Sequence, residues 1–231
     1  VYYSIDSPSN IMASNLQYTE EGSSFTLLIN DKDQGEVYLR SYGKHNIYNA
    51  LAALTLGLQE NLPLDLIKKG LYNFTGTKRR FQLIGEHNNI RIYDDYGHHP
   101  TEIKTTLDGI KNSFKKRIIC IFQPHRYTRT RDFLEAFPDS FDNADQVIIT
   151  EVYSANEKQI EGISGELIVS KMEEKNKHNA IFIPKKSEIA TAILPNLKKD
   201  DIVITMGAGD IHTVSKEIFA RLKTQQLALK T

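Results

Sequence analysis

Between Asn46 and Leu58 the apolar residues Ile47, Ala50, Leu51, Leu54 and Leu58 recur every three or four positions, which places them along one face of a helix. The Ala and Leu content favours that helix, and Asn61 and Pro63 predict where it stops. A second helix is predicted over Leu64–Asn73. Upstream, the β-type runs Phe25–Ile29 and Glu36–Leu39 are separated by the turn formers Asn30, Asp31, Asp33 and Gly35, which predicts a hairpin or small sheet. Downstream, short β-rich runs stand at Ile90–Tyr93, Arg117–Phe122, Gln146–Thr150, Ala180–Ile183 and Asp201–Thr205. Candidate helices lie between most of them, one over Pro100–Ile110. Between the two halves, Phe74–Arg80 holds Gly76 and three basic residues with no apolar period, a pattern that fits a hinge. It predicts two domains, 1–80 and 81–231.

Alternation of strands and helices in the second half predicts an α/β fold with a doubly wound, mainly parallel sheet. Ligands of such sheets gather beyond the carboxyl ends of the strands. Four predicted strand ends carry polar clusters: Asp94–Pro100, Gln123–Thr130, Glu151–Ser154 and Gly207–Asp210.

Composition narrows the function classes. Lys plus Arg and Asp plus Glu number 29 each, so no overall field recruits nucleic acid or an anionic membrane. The longest apolar runs, Ala50–Leu58 and Ile118–Phe122, are far shorter than the roughly 20 residues of a membrane crossing. Cys120 is the only cysteine and lies inside an apolar run, which predicts a buried thiol and a reducing, cytoplasmic setting. Val1–Asp6 has neither an initiator Met nor a secretory signal layout, and the expectation is a chain cut from something longer.

The candidate chemistry lies at the strand ends. Asp94 or Asp95 either accepts ribose hydroxyls or caps the helix that begins at Pro100. His98 and His99 are adjacent, a poor geometry for one metal, but either can orient a nucleophile or bond a carboxylate. Arg126 and Arg129 are three apart and share one side if a helix starts there; paired guanidinium forks suit carboxylate or phosphate oxygens, and solvated surface arginines are the alternative. Met206-Gly207-Ala208-Gly209-Asp210 is either a turn whose amides face an anion at a helix start or a tight turn capped by Asp210. In the first half, Asn46 is a candidate N-cap, while the carboxamide of Asn49 either matches an adenine edge or is purely structural.

Taken together, His45–Ala53, Gly76-Thr77-Lys78-Arg79-Arg80-Phe81-Gln82, Asp94–Glu102, Gln123–Thr130 and Met206–Ile211 resemble the Mur ligase family. The strings Asp94-Asp95-Tyr96-Gly97-His98-His99-Pro100 and Gln123-Pro124-His125-Arg126-Tyr127-Thr128-Arg129-Thr130 resemble its alanine-adding branch. The resemblance implies an enzyme with an N-terminal UDP-sugar domain, a central ATPase domain and a C-terminal Rossmann-like domain. Residues 1–80 would be the end of the central domain, and 81–231 the amino-acid-binding domain. It implies ATP-dependent joining of L-alanine to UDP-N-acetylmuramate through an acyl phosphate in peptidoglycan synthesis. Asn49 would contact adenine, Arg80 the nucleotide and Asp95 the ribose. Tyr96, His98, Arg126 and Arg129 would bind the incoming alanine or the acyl phosphate, with His98 and both arginines catalytic.

Other family parts are not found here. The phosphate loop ends in Gly-Lys-Thr, but Gly43-Lys44 is followed by His45 and no glycine stands five positions before Gly43. The magnesium ligands of the family would also lie before Val1, so no metal residue is assigned. The expectation is a fragment that lacks its N-terminal domains and is inactive alone. The rivals are a recycling ligase that adds a tripeptide to the same sugar nucleotide, and a non-catalytic module that binds a nucleotide or a partner.

Overall fold

The computed structural model describes residues 1–228; the last three positions of the second predicted domain, 229–231, lie outside the described residues. The chain divides into two compact units, Val1–Gly76 with Asp108–Lys115, and Thr77–Leu107 with Lys116–Thr231.

The first unit holds a four-stranded sheet of β1 (Tyr3–Ser4), β2 (Ile11–Thr19), β3 (Gly22–Ile29) and β4 (Lys32–Leu39), in that order. β1 runs parallel to β2, and the later pairs are antiparallel. The β3–β4 hairpin closes on Asn30 and Asp31, both at positive φ, as a two-residue turn matched to strand twist requires. Helices α1 (Lys44–Gln59) and α2 (Leu64–Asn73) follow. Ile47, Leu51 and Leu54 of α1 and Ile67 of α2 form one core with Ile11, Phe25, Leu27 and Val37, the inward set of each element's period. Asn46 is not the N-cap. The helix begins at Lys44 after Gly43 (φ 86°), and the Asn46 Nδ2 donates back to the Tyr42 carbonyl at 2.8 Å.

The second unit is a six-stranded sheet of β5 (Gln82–His87), β6 (Ile90–Asp95), β7 (Ile118–Phe122), β8 (Gln146–Ile149), β9 (Ala180–Phe182) and β10 (Ile202–Met206), ordered β5-β6-β10-β7-β8-β9. Only β5 is antiparallel to its neighbour. The strands alternate with α3 (Pro100–Phe114, assigned to this unit as far as Leu107), α4 (Tyr127–Asp132), α5 (Phe137–Ser140), α6 (Gly165–Glu174), α7 (Lys186–Ile193) and α8 (His212–Ala228). This is the expected α/β sheet, with all five anticipated strands within one residue or two of their predicted bounds.

Parallel strands covered on both faces read as unbroken apolar runs. Ile119 and Ile121 join Val214 and Ile218 of α8 and Ile189 of α7 in one core. From the same strand Phe122 packs against Phe137 and Phe141, each at 5.4 Å between ring centroids. Cys120 is fully buried, and burial pushes its thiol pKa up. Among the described residues no helix is long and apolar enough to cross a membrane.

Candidate active site

The carboxyl end of β6 places two adjacent carboxylates on opposite sides of the strand. Asp94, almost fully buried, accepts from the Thr205 hydroxyl of neighbouring β10 at 2.8 Å and from the Arg79 Nε at 3.0 Å. Arg79 also donates to the Gly207 carbonyl at 2.5 Å and lies 4.9 Å over the Tyr96 ring. Asp95 accepts from the Gly97 amide through one oxygen and the Phe81 amide through the other, both at 2.7 Å. Burial raises the Asp95 pKa against the opposing effect of those amides and of the Arg80 charge. Neither aspartate caps α3. That role falls to His99, whose Nδ1 accepts the Thr101 amide at 3.2 Å, and to Glu102, which reaches back to the His98 and His99 amides at 3.0 and 3.2 Å. Burial opposes ionisation of Glu102, but these amides and the His98 and Arg80 charges outweigh it and hold its pKa low.

The loops after β6, β7 and β8, on the same edge of a sheet in which β10 lies between β6 and β7, then bring four rings into a row. Tyr96 and His98 from the β6 loop meet edge to face at 5.5 Å. His98 stands 5.7 Å from His125 of the β7 loop, and His125 stacks on Tyr153 of the β8 loop at 5.6 Å. Backbone bonds lock the last two loops: the Arg126 amide donates to the Tyr153 carbonyl and the Tyr153 amide to the Pro124 carbonyl, both at 2.8 Å.

Arg126 and Arg129 flank this row without sharing a helix face. Helix α4 starts at Tyr127, and Arg126 precedes it at φ 71°. Its guanidinium is 3.9 Å from Glu157, whose carboxylate also accepts the Thr128 amide and hydroxyl at 3.1 and 2.7 Å. Arg129 folds back onto His125, donating to the ring Nδ1 at 3.0 Å and to the carbonyl at 3.2 Å. Among the described residues Arg129 has no carboxylate within ion-pair distance. Burial, followed by the Arg129, His98 and Arg126 charges, lowers the His125 pKa to about 4.

The turn after β10 is not an open anion cradle. The Gly207 amide donates to the Asp95 carbonyl at 3.2 Å and the Ile211 amide to the Gln123 Oε1 at 3.2 Å. Gln123 also donates to Asp210, which is ion-paired with Lys186. Burial opposes the Asp210 charge, but Lys186 and Gln123 hold its pKa low. The Gly207 and Ile211 amides are thus satisfied internally, which fits the tight-turn alternative.

The structure thus brings Tyr96, His98 and Arg129 to one surface, with Arg126 at its edge and Asp95 buried beneath the β6 loop. Arg80 is exposed and acts on Asp95 and Glu102 through space. In the first unit Asn49 is exposed on α1, its carboxamide donating to Asn46 at 3.3 Å. Sequence reasoning did not single out Arg79, His125, Tyr153 or Glu157. Among the described residues no group of three or more His, Cys, Asp or Glu side chains is placed to hold a metal.

This sheet and its strand-end loops match the Mur ligase glutamate ligase domain over residues 79–209, and the first unit matches the Mur ligase middle domain over 1–57. The chain belongs to the Mur ligase family. Within it, the chain is similar to the UDP-N-acetylmuramate–L-alanine ligases. It is 37% identical to that of Myxococcus xanthus over 93% of its own length and 45% of the relative's. The solved UDP-N-acetylmuramate-alanine ligase of Thermotoga maritima superimposes with a TM-score of 0.83 at 27% identity, covering 96% of this chain and 48% of that one. A murein peptide ligase from Psychrobacter arcticus gives 0.63 at 26% identity over 95% and 45% of the two chains. The chain spans about half the length of the curated relatives it matches.

Proposed function

We propose that this chain supplies the C-terminal half of an ATP-dependent ligase that joins L-alanine to UDP-N-acetylmuramate through an acyl phosphate, a cytoplasmic step of peptidoglycan synthesis. The observation that carries this reading is the meeting of Tyr96 and His98 from the β6 end with His125 and Arg129 from the β7 end, Arg129 having no carboxylate partner among the described residues. A guanidinium there suits the carboxylate of an amino acid or the oxygens of an acyl phosphate. The closer superposition on the alanine ligase than on the murein peptide ligase favours alanine over a tripeptide.

In this reading residues 1–80 end the ATP-binding domain and 81–231 form the amino-acid domain. Asn49 serves adenine, and Arg80 and Asp95 serve the nucleotide. Asn49 and Arg80 are exposed and fit such a role. Asp95 would meet ribose hydroxyls only through the lone pairs its two backbone amides leave free. The described residues do not fit a magnesium site, so the metal and the triphosphate would be held by segments corresponding to the N-terminal half of the relatives. Tyr96, His98, Arg126 and Arg129 position alanine and offset negative charge as the phosphate leaves.

The test is phosphate release from ATP in the complete gene product with UDP-N-acetylmuramate and L-alanine. Activity is expected with alanine and not with tripeptide. Arg126→Ala should lower alanine kcat/KM by about 100-fold with little change in ATP affinity. Product with tripeptide alone would transfer the assignment to a recycling ligase. Equal losses for alanine and ATP would remove Arg126 from the amino-acid site. Residues 1–231 alone are expected to show no alanine-dependent hydrolysis, and turnover by them would refute the division of labour.

A further inference from the structure

The two imidazoles of the site are hydrogen-bonded in opposite senses. A carbonyl can only accept, so the 3.0 Å contact between the His98 Nδ1 and the Tyr96 carbonyl puts the proton on Nδ1. In the neutral ring this leaves the Nε2 of His98 as a bare lone pair. A guanidinium can only donate, so the 3.0 Å contact from Arg129 makes the Nδ1 of His125 the acceptor and puts its proton on Nε2. One ring therefore offers a base and its neighbour, 5.7 Å away, offers a donor. The bond each makes through its other nitrogen sets its role.

We propose that His98 is the general base that deprotonates the incoming amino group, while His125 is a neutral donor through Nε2–H beside it. The assignment rests on the ligase reading above and supplies its proton acceptor. An amino acid arrives as an ammonium, which has no lone pair. His98 Nε2 takes one proton, and the N–H electrons become the amine lone pair. That pair forms the C–N bond to the acyl carbon. The C–O bond to phosphate breaks with its electrons on oxygen, and phosphate carries away the second nitrogen proton.

The surroundings separate the two rings in the same direction. Glu102 stands 3.6 Å from the His98 Nδ1, a counter-charge to the imidazolium as it forms, and Tyr96 supplies both the carbonyl bond and an edge-to-face contact. Arg79 sits over the Tyr96 ring, already paired with Asp94. His125 faces Arg129, Arg126 and His98, with only Glu157 opposing. It is poorly placed to gain a proton, and Arg129 occupies its lone pair. His98 is partly exposed, so an amine can reach Nε2.

Two measurements test this. In the complete gene product, hydroxylamine traps an acyl phosphate as a hydroxamate and, being mostly neutral at pH 7, needs no base. For His98→Gln the ratio of hydroxamate to alanine product should rise by about 100-fold, the usual scale of general-base catalysis. An unchanged ratio would overturn the base assignment while leaving the ligase reading intact. Absence of both products in the unsubstituted enzyme would instead refute the ligase reading. Independently of activity, long-range proton–nitrogen correlation of the histidine-labelled chain should show the Nδ1–H form for neutral His98. It should show the Nε2–H form for His125, persisting through pH 5.5. The reverse tautomer at either ring would overturn the proposal.

Discussion

Arg79→Ala is the substitution whose cost follows most directly from the contacts. Among the described residues the guanidinium is the only cation on Asp94, whose side chain is 2% exposed, and its loss would leave that carboxylate with the Thr205 hydroxyl as its remaining described partner. Breaking one half of a buried pair costs about 3–5 kcal/mol, mostly from the stranded charge. The arginine side chain is itself 23% exposed, so water can enter the space it leaves, and about 3 kcal/mol is the figure to expect. The bond to the Gly207 carbonyl and the contact with Tyr96 go as well. At roughly 2–4 °C per kcal/mol for a chain of this size, the melting temperature should fall by about 6–12 °C. Urea unfolding at pH 7.5 can be followed by tyrosine fluorescence, since the chain has 11 Tyr and no Trp. Adding Asp94→Asn removes the stranded charge, so the double variant should be more stable than Arg79→Ala alone. A loss below about 1 kcal/mol, or a double variant less stable than the single, would refute the argument.

Two further outcomes are expected. With its folded pKa near 4 and an unfolded value of about 6.5, His125 contributes stability that is complete above pH 6.5 and lost as pH falls towards 4. The residue is partly exposed, so about 1 kcal/mol is expected rather than the full linkage value. Unfolding midpoints at pH 7.5, 6, 5 and 4.5 should show that component in the parent and not in His125→Gln; superimposable pH dependences would exclude it. At Gly209 an added Cβ would lie 2.5 Å from the Gln123 Oε1 and 2.6 Å from the Tyr153 Cγ. Gly209→Ala should therefore cost about 1–3 kcal/mol in thermal unfolding and displace Tyr153 from His125, whereas a neutral effect would mean that Tyr153 packs elsewhere.

What the sequence displayed and what it concealed divide along burial and distance. Ile118–Phe122 is legible because a strand covered on both faces needs no polar residue. Leu64–Asn73 is legible because its breakers stand at its ends. The sequence reading missed β5, a half-exposed edge strand whose polar residues interrupt the alternation. The one signal for it was Asn88-Asn89, a two-residue turn at positive φ. The loops at Asp94 and Gln123 announced chemistry by composition alone, since so many carboxylates, imidazoles and guanidinia in sequence are unusual whatever the fold.

Which of those groups does what was a tertiary decision. Arg79 and Arg80 are indistinguishable as letters, yet one is anchored on Asp94 and the other is exposed, because Arg79 adopts a left-handed turn (φ 58°) that points it at the tip of the sheet. Asp94 and Asp95 differ only in the face of β6 on which they fall. His98 and His125 are the same side chain with opposite protons, set by a carbonyl two residues away in one case and by a guanidinium one helical turn on in the other. Local sequence determines the periodicity that builds strands and helices. The partner of a polar side chain depends on which loops the sheet order makes neighbours, and the pairing of β10 between β6 and β7 is a property of the whole fold.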